Sequence, residues 1–431
     1  MRRGTPSISE NLSGSDPQPL SVLIVGLNYH PEVTGVAPYT HALAKGLHRR
    51  GVEVRVLTSH PHYPEWVVRD TYGQWTRSEV VEGVPVTRLL HYVPGRTTDL
   101  GRLVAELSFG LRVLLAPWGR PEVVLFVSPG LFSTAVASLR ARIGVARPSV
   151  AIWMQDIYSR GMIETQTGSR LAQHAVTALE RATYRNASGV VAIHSRFAEY
   201  LAGRLGVEPE RVEVIANWTH LATTEVATLE GNTRAAYGWG TETVVLHAGN
   251  MGVKQGLDSV VTAARIADRL SAPVRFVLMG DGTQRERLMR DGVGLKRLQF
   301  LAPADDSDFR AVLAAADVLL VNEKVGVSEM AVPSKLTSYF ASGRPVLAAV
   351  DRRGVTAVEI DASQGGHRVE PGNAQALLDG AIFLRARPQL AADLGTHGRR
   401  YSEELLEENG AIDHWHSWLQ QVASRKRRGV G

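Results

Sequence analysis

Short apolar runs rich in Val, Ile and Leu alternate with longer stretches of helical periodicity along most of the chain. That alternation is the pattern of parallel strands joined by crossover helices. In the first half, strands are expected at Ser21–Gly26, Glu53–Thr58, Pro85–Leu90, Val123–Val127, Val150–Met154, Gly189–Ile193 and Val212–Ile215. Helices fall between them; Tyr39–Arg50 carries Leu43 and Leu47 on one face and stops at Gly51. A second series begins at Val244–His247 and continues with Arg275–Met279, Leu298–Leu301, Val318–Val321 and Val346–Val350, ending near Arg368–Glu370. Each half opens alike, with a strand, a glycine-containing loop and a helix. The expected fold class is α/β: two doubly wound, Rossmann-like domains facing one another across a cleft.

The polar, Thr-rich stretch after Asn217 and Trp218 reads as a linker, so the domains are expected at residues 20–218 and 241–400, with residues 219–240 between them. Ser402–Val422 is helical in pattern, with Leu405, Leu406, Ile412, Trp415 and Trp418, and gives a terminal helix over 401–424. Residues 1–19 are Ser-, Pro- and Gly-rich without an apolar core and read as a disordered tail, not a signal peptide. Residues 425–431 form a basic, frayed tail.

Composition narrows the classes. A chain of 431 residues is too long for one compact domain. No cysteine is present, which excludes disulfides, zinc–thiolate sites and thiol nucleophiles and fits a reducing cytosol. No apolar run approaches the roughly 20 residues that span a bilayer. A net charge of +5 favours anionic partners: nucleotides, phosphates or a membrane surface. The charges are scattered and no basic strand carries interleaved aromatics, so nucleic acid is not expected.

The densest chemistry lies in residues 332–347. Pro333, Ser334 and Lys335 open an amphipathic helix (Leu336, Tyr339, Phe340) that Gly343 stops before the strand at Val346. Free N–H groups at a helix start, beside a hydroxyl and an ammonium, suit a phosphate. A second loop, Gly249-Asn250-Met251-Gly252-Val253-Lys254-Gln255-Gly256, follows the strand at Val244–His247. The chain has six lysines against forty-two arginines, and two of the six, Lys254 and Lys335, lie in these loops. In the first half, Asn28–Gly35 follows the first strand but lacks the Gly-x-Gly-x-x-Gly spacing of a dinucleotide site, which disfavours a nicotinamide or flavin enzyme.

At these residues the chain resembles glycosyltransferase family 4, whose members have the GT-B fold, and within it a subgroup of colanic-acid or exopolysaccharide transferases with a similar Gly-Asn-x-Gly-x-Lys-Gln-Gly run. The resemblance covers nearly all of residues 20–420 and is strongest in 22–66, 244–258 and 331–350. It implies an acceptor-binding N-terminal domain, a donor-binding C-terminal domain and a last helix that crosses back to the first domain. The implied activity is transfer of a sugar from a UDP- or GDP-sugar, UDP favoured, to a hydroxyl of a glycan or lipid-linked acceptor. Retention of configuration without an obligatory metal is also implied. The donor is a co-substrate, and no cofactor is expected. The donor-site residues carried over are Gly35, Gly249, Asn250, Lys254, Gln255, Ser334 and Lys335.

The chain departs from the wider family in two places. Asn250 and Gln255 stand where the commoner loop has Arg and Lys, and Lys254 comes one position early. The Glu-x7-Glu signature is broken: Ser338 takes the second place, and Glu329 lies one residue from the first. Asp156, in Trp153–Tyr158 at a strand end, and Glu329 are the candidate catalytic groups. Asp156 is placed either to bond a sugar hydroxyl or to cap the following turn. With two motifs broken, a GT-B nucleotide-sugar epimerase and a non-catalytic partner subunit remain alternatives.

Three further features have plain structural readings. His60 and His62 form a solvated or hydrogen-bonded loop pair, because no third ligand completes a metal site. Asp306-Ser307-Asp308 caps the helix Phe309–Ala316 and does not bind metal. Leu100, Leu103, Val104, Leu107, Leu111 and Leu114 share one helical face, for which core packing is the expectation. With Arg96 and Arg120 nearby, the alternative is a stripe resting on an anionic membrane, which would make a cytoplasmic protein peripheral to its inner face.

Overall fold

The structure, a computed structural model, describes residues 19–33, 35–95, 98–143, 147–164, 168–219, 230–327 and 334–428. The N-terminal sheet contains β1 (Ser21–Gly26), β2 (Glu53–Ser59), β3 (Thr76–Val81), β4 (Val84–Leu89), β5 (Val123–Val127), β6 (Ser149–Met154), β7 (Gly189–Ala192) and β8 (Val212–Val214). Their order is β3-β4-β2-β1-β5-β6-β7-β8, parallel except for the β3–β4 hairpin. The second sheet contains β9 (Thr243–Ala248), β10 (Val274–Met279), β11 (Leu298–Leu301), β12 (Val318–Asn322), β13 (Val346–Ala349) and β14 (Gly366–Val369). It is parallel throughout, in the order β11-β10-β9-β12-β13-β14. Strands β5, β6, β9, β12 and β13 are buried along their whole length, as aliphatic strands covered on both faces must be.

The first domain's helices are α1 (Ala37–Arg49), α2 (Asp99–Leu115), α3 (Leu131–Ile143), α4 (Tyr158–Glu164), α5 (Arg170–Arg185) and α6 (Ser195–Tyr200). Those that follow are α7 (Glu230–Ala236), α8 (Asp258–Arg269), α9 (Arg285–Asp291), α10 (Asp306–Ala315), α11 (Lys335–Ser342), α12 (Val355–Ser363), α13 (Ala374–Arg385), α14 (Pro388–Leu405) and α15 (Glu408–Arg428). In each sheet the winding reverses once, between β1 and β5 and between β9 and β12. Open α/β sheets bind ligands at the carboxyl ends of the strands at such a reversal.

Three element expectations change. The terminal helix is not continuous: α14 ends at Leu405 and α15 starts at Glu408. The Glu407 carboxylate breaks the run by accepting the N–H groups of Asn409 (2.9 Å) and Gly410 (2.6 Å), which starts a new helix. Helix α15 also runs through Arg428 instead of fraying at Arg425. The linker region is partly structured. Residues 220–229 lie outside the described residues, but α7 follows them, and Arg234 donates to the carbonyls of Ala315 (2.8 Å) and Glu242 (3.1 Å).

Helix α15 returns to the N-terminal sheet and joins its core through Ile412, Trp415, Trp418, Leu419 and Val422. The Trp415 ring meets Trp153 of β6 at 4.8 Å and Trp418 at 5.5 Å. Gly46 of α1 leaves the room: a Cβ there would lie 2.4 Å from Ile412 Cδ1.

Candidate functional site

Strand β9 ends in His247 and Ala248, and Gly249 follows it. Gly249 has φ +123°, a conformation other residues rarely adopt, and its N–H donates to the Met279 carbonyl at 2.9 Å. The loop beyond it is fastened to the end of β12. Asn322 Nδ2 donates to the carbonyls of Gln255 (2.7 Å) and Gly256 (3.1 Å), and Lys324 N–H to that of Lys254 (2.8 Å). Gln255 Oε1 accepts the Gly252 N–H at 3.0 Å, so that oxygen braces the loop. Asn250 and Lys254 stay exposed.

Lys335 is not a loop lysine; it is the first residue of α11 and is half-buried. Its Nζ lies 3.1 Å from His247 Nε2 and 3.4 Å from Nδ1, and 3.6 Å from where a Cβ on Gly249 would stand. Burial pushes the Lys335 ammonium down to about 7, against a smaller upward pull from Glu323. Ser334, the exposed N-cap, makes no side-chain cap bond, which leaves the first turn of α11 open. Pro333 and Glu329 lie outside the described residues.

On the facing domain, Gly35 is exposed with φ +64°, next to the Tyr63 ring; Thr34 beside it is outside the described residues. Helix α1 begins directly after this loop, and its N-cap Val36 also makes no side-chain cap bond. The side chains of Tyr39, in the first turn of α1, and Thr337, in the first turn of α11, meet, and the Thr337 hydroxyl donates to the Ser334 carbonyl at 2.8 Å. Two uncapped helix starts therefore lie side by side across the cleft. Each carries a partial positive charge.

The neighbouring helix starts in the first domain are filled. The Glu106 carboxylate accepts the Phe132 N–H at the start of α3 (2.9 Å), and Glu180 Oε1 accepts the N–H groups of Tyr158 (3.0 Å) and Ser159 (3.4 Å) at the start of α4. Burial raises both carboxyls, Glu106 to about 7. Nothing in the sequence flagged these glutamates, His247 or the Tyr39–Thr337 pair. Each is an ordinary-looking residue whose partner is remote in the chain.

Asp156 follows β6 and faces the cleft. It does not cap α4, because Glu180 takes that helix start. Burial raises its carboxyl to about 6, and the Lys254 charge from the opposite domain opposes the rise. The structure thus brings Gly249, Asn250, Lys254, Ser334 and Lys335 to one domain's side of the cleft and Gly35 and Asp156 to the other.

His60 and His62 are buried, not solvated: His60 Nε2 lies 2.7 Å from the Gln74 carbonyl oxygen and His62 Nδ1 2.9 Å from that of His60. Among the described residues no group of three or more His, Cys, Asp or Glu could hold a metal. Helix α10 starts at Asp306, three residues earlier than expected, so Asp306, Ser307 and Asp308 form its first turn instead of its cap, and Asp305 caps it, its Oδ1 accepting the Asp308 N–H at 2.9 Å. The side chains of Asp306 and Ser307 are outside the described set.

The core expectation for the α2 stripe is overturned. Leu100 and Leu111 are 70% and 53% exposed and Val104 and Leu107 are exposed with them, while Leu103 and Leu114 are half-buried; Leu115, outside the expected stripe, is exposed too. The other face, Ala105, Glu106, Phe109, Gly110 and Val113, is the buried one. A Cβ on Gly110 would come within 2.9 Å of Ser133 Cα, so this small position lets α3 pack close and selects that face for the core. Arg120, beyond the end of the helix, is exposed; Arg102 leaves the opposite face of α2 and lies over the Trp66 ring at 5.6 Å, and Arg96 lies outside the described residues.

Two facing parallel-sheet domains, with ligand-ready strand ends turned to a common cleft, define a GT-B glycosyltransferase. Family models agree: residues 34–218 match the glycosyl transferase 4-like domain and residues 242–386 the glycosyl transferases group 1 domain, and the chain belongs to this family. It is 30% identical over 411 residues to the putative colanic acid biosynthesis glycosyl transferase WcaI of Escherichia coli (strain K12), covering 91% of this chain and 98% of that protein. Among solved structures, it superposes on sucrose-phosphate synthase from Thermosynechococcus elongatus with a TM-score of 0.73 at 18% identity, covering 94% of this chain and 100% of that one. Anabaena HepE in complex with UDP gives 0.67 at 15% identity, covering 93% and 100%.

Proposed function

We propose that this enzyme transfers a sugar, with retention and without a metal, from a nucleoside diphosphate sugar to a hydroxyl of a glycan or lipid-linked acceptor. The setting is synthesis of a cell-surface polysaccharide or glycolipid, and UDP is the favoured carrier. The observation that carries the reading is the pair of uncapped helix starts, α1 and α11, brought together at Tyr39 and Thr337 beside the Lys335–His247 contact. UDP is favoured because Anabaena HepE is solved with it, and the polysaccharide setting because the Escherichia coli relative is described as acting in colanic acid biosynthesis.

The diphosphate is the leaving group, and its developing negative charge is the barrier to be lowered. Lys335, Lys254 and the α11 start offset that charge where a metal ion otherwise would. Donors fixed before the reaction begins need no reorganisation as the bond breaks. A leaving phosphate oxygen on the same face takes the acceptor's proton as the new glycosidic bond forms, which gives retention. Asp156, across from Lys254, orients the acceptor hydroxyl.

The exposed stripe of α2 lies on the domain that receives the acceptor, with exposed Arg120 just beyond the end of the helix. Resting on an anionic bilayer, it attaches the protein to the inner face of the membrane, where lipid-linked acceptors lie. No helix among the described residues is long and apolar enough to cross a membrane.

Thermal shift across UDP, GDP and ADP tests the donor reading, since a ligand at ~100 times its Kd stabilises by about 2.7 kcal/mol. UDP should give the largest shift, undiminished by EDTA. Silence with every nucleotide removes the reading, a shift only with Mn²⁺ removes metal independence, and release of an epimerised free nucleotide sugar would make this an epimerase.

A further inference from the structure

His247 occupies a position where the surrounding sequence places only aliphatic residues. It sits near the end of β9, the central strand at the winding reversal, after Val244, Val245 and Leu246, and it is fully buried. Burying a polar ring there is unfavourable unless its nitrogens are satisfied. Nε2 lies 3.3 Å from the Asn250 carbonyl oxygen, in the first donor loop, and the Leu320 carbonyl on β12 is a second backbone partner. Burial and the Lys335 charge hold the imidazole neutral, well below its usual range.

The contact with Lys335 has an unusual shape. Nζ is 3.1 Å from Nε2 and 3.4 Å from Nδ1, nearly equidistant from both. In an imidazole the two nitrogens flank Cε1, so an in-plane atom that close to both would collide with Cε1. The ammonium therefore lies across the ring face and not on either lone pair. A neutral aromatic face attracts a cation without cancelling its charge. A carboxylate at the same place would neutralise the lysine, and an aliphatic side chain would offer it nothing. Glu323, at the end of β12, is the carboxylate that acts on Lys335 among the described residues, and it also hydrogen-bonds Thr356.

We propose that His247 is the positioning residue of the donor site: its neutral ring carries the Lys335 ammonium on its face and holds it over Gly249, so that an uncancelled charge meets the donor diphosphate. This rests on the donor-site reading above. The ring also bonds the Asn250 carbonyl, so one side chain fixes the first donor loop and the cation of the second together.

The test is calorimetric UDP binding to the full-length protein at pH 6 and across pH 6–9, for wild type, His247→Ala, His247→Gln, Lys335→Ala and His247→Ala in the Lys335→Ala background. Circular dichroism reports folding. At pH 6, His247→Ala is expected to bind UDP about two- to thirty-fold more weakly, the range of a desolvated cation on an aromatic face. His247→Gln keeps a donor for the Asn250 carbonyl but has no ring face, so it too should bind more weakly. It carries the same test if the alanine variant fails to fold. Once Lys335 is gone, removing His247 should cost little more. In wild type, affinity falls as pH rises through the Lys335 range; removing the ring lets water reach the ammonium and moves that fall to higher pH.

Wild-type affinity in a folded His247→Gln protein would make the histidine a loop anchor only and overturn the proposal. An undiminished loss in the Lys335→Ala background would do the same. If wild type binds no nucleoside diphosphate, the donor-site reading itself fails. If wild type binds and Lys335→Ala weakens it while the His247 variants do not, the positioning role alone falls.

Discussion

The Tyr39 and Thr337 side chains meet across the interdomain cleft, one from the first turn of α1 and the other from the first turn of α11. Both helices start without a side-chain cap, so the contact registers two open, positively polarised ends against each other. Burial raises the Tyr39 hydroxyl to about 12, so it stays neutral and able to donate throughout the working pH range.

Tyr39→Phe should therefore lower kcat/KM for the donor by about two- to twelve-fold, the worth of one neutral polar contact. The rest of the ring remains packed against Trp218, so the melting temperature should move little. Steady-state kinetics with varied donor checks this, and an unchanged kcat/KM would mean that the contact does not hold the productive domain arrangement.

Lys335→Ala should cost about 1.5–3 kcal/mol of donor binding, about ten- to a hundred-fold, for the loss of a charge-assisted contact. The fold should survive, because removing a lysine whose charge is disfavoured by burial relieves a cost. Lys335→Arg should recover only part, since a planar fork does not reproduce a point charge on the His247 face. Calorimetry with UDP decides; equal affinity in a folded Lys335→Ala protein takes Lys335 out of the site.

The pH dependence follows from two opposite shifts. Asp156, raised to about 6, is ionised only above that pH, and Lys335, lowered to about 7, is charged only below that pH. The free enzyme thus has both groups in their working forms in a narrow window, and kcat/KM should be bell-shaped with limbs near those values. A bound diphosphate stabilises the ammonium, so the alkaline limb of kcat should lie higher than that of kcat/KM. Glu106, raised to about 7, titrates in the same range, so variants must assign the limbs. Asp156→Asn should abolish the acid limb and Lys335→Ala the alkaline one, with Glu106→Gln moving neither.

Leu111→Glu places a charge in the middle of the exposed α2 stripe. Flotation with vesicles containing anionic lipid should fall at least several-fold, with the melting temperature nearly unchanged because the side chain is exposed. Loss of folding would instead make the stripe part of a packed interface, and full flotation would remove it as the membrane contact.

The sheets were largely legible in the sequence because buried parallel strands are continuous aliphatic runs. Ser21–Gly26, Val123–Val127 and Leu298–Leu301 are read to the residue. Strand β3, Thr76–Val81, was not, since an antiparallel edge strand with alternating exposure carries no apolar run. The α2 helix showed the limit of periodicity: both faces are apolar, and the close approach of Gly110 to Ser133, invisible in sequence, decides which is buried. The loops holding Gly249 and Lys335 were found from local residue types at a strand end and a helix start. His247, Tyr39, Glu106 and Glu180 were not, because each acts through a partner 21 or more residues away.

The return of α15 to the first sheet has a consequence for biogenesis. Translation makes strands β1–β8 first, yet Ile412, Trp415, Trp418 and Val422, which close that sheet's back face, are made only after the whole of the second domain's sheet. Until they emerge, β5 and β6 have a bare apolar side, and Trp153 lacks Trp415. The second domain's sheet, complete at Val369, can finish folding before the first one does. A nascent chain of this enzyme therefore passes through a stage with one half finished and the other not, and a stop codon just before α15 would damage the N-terminal domain more than the second one.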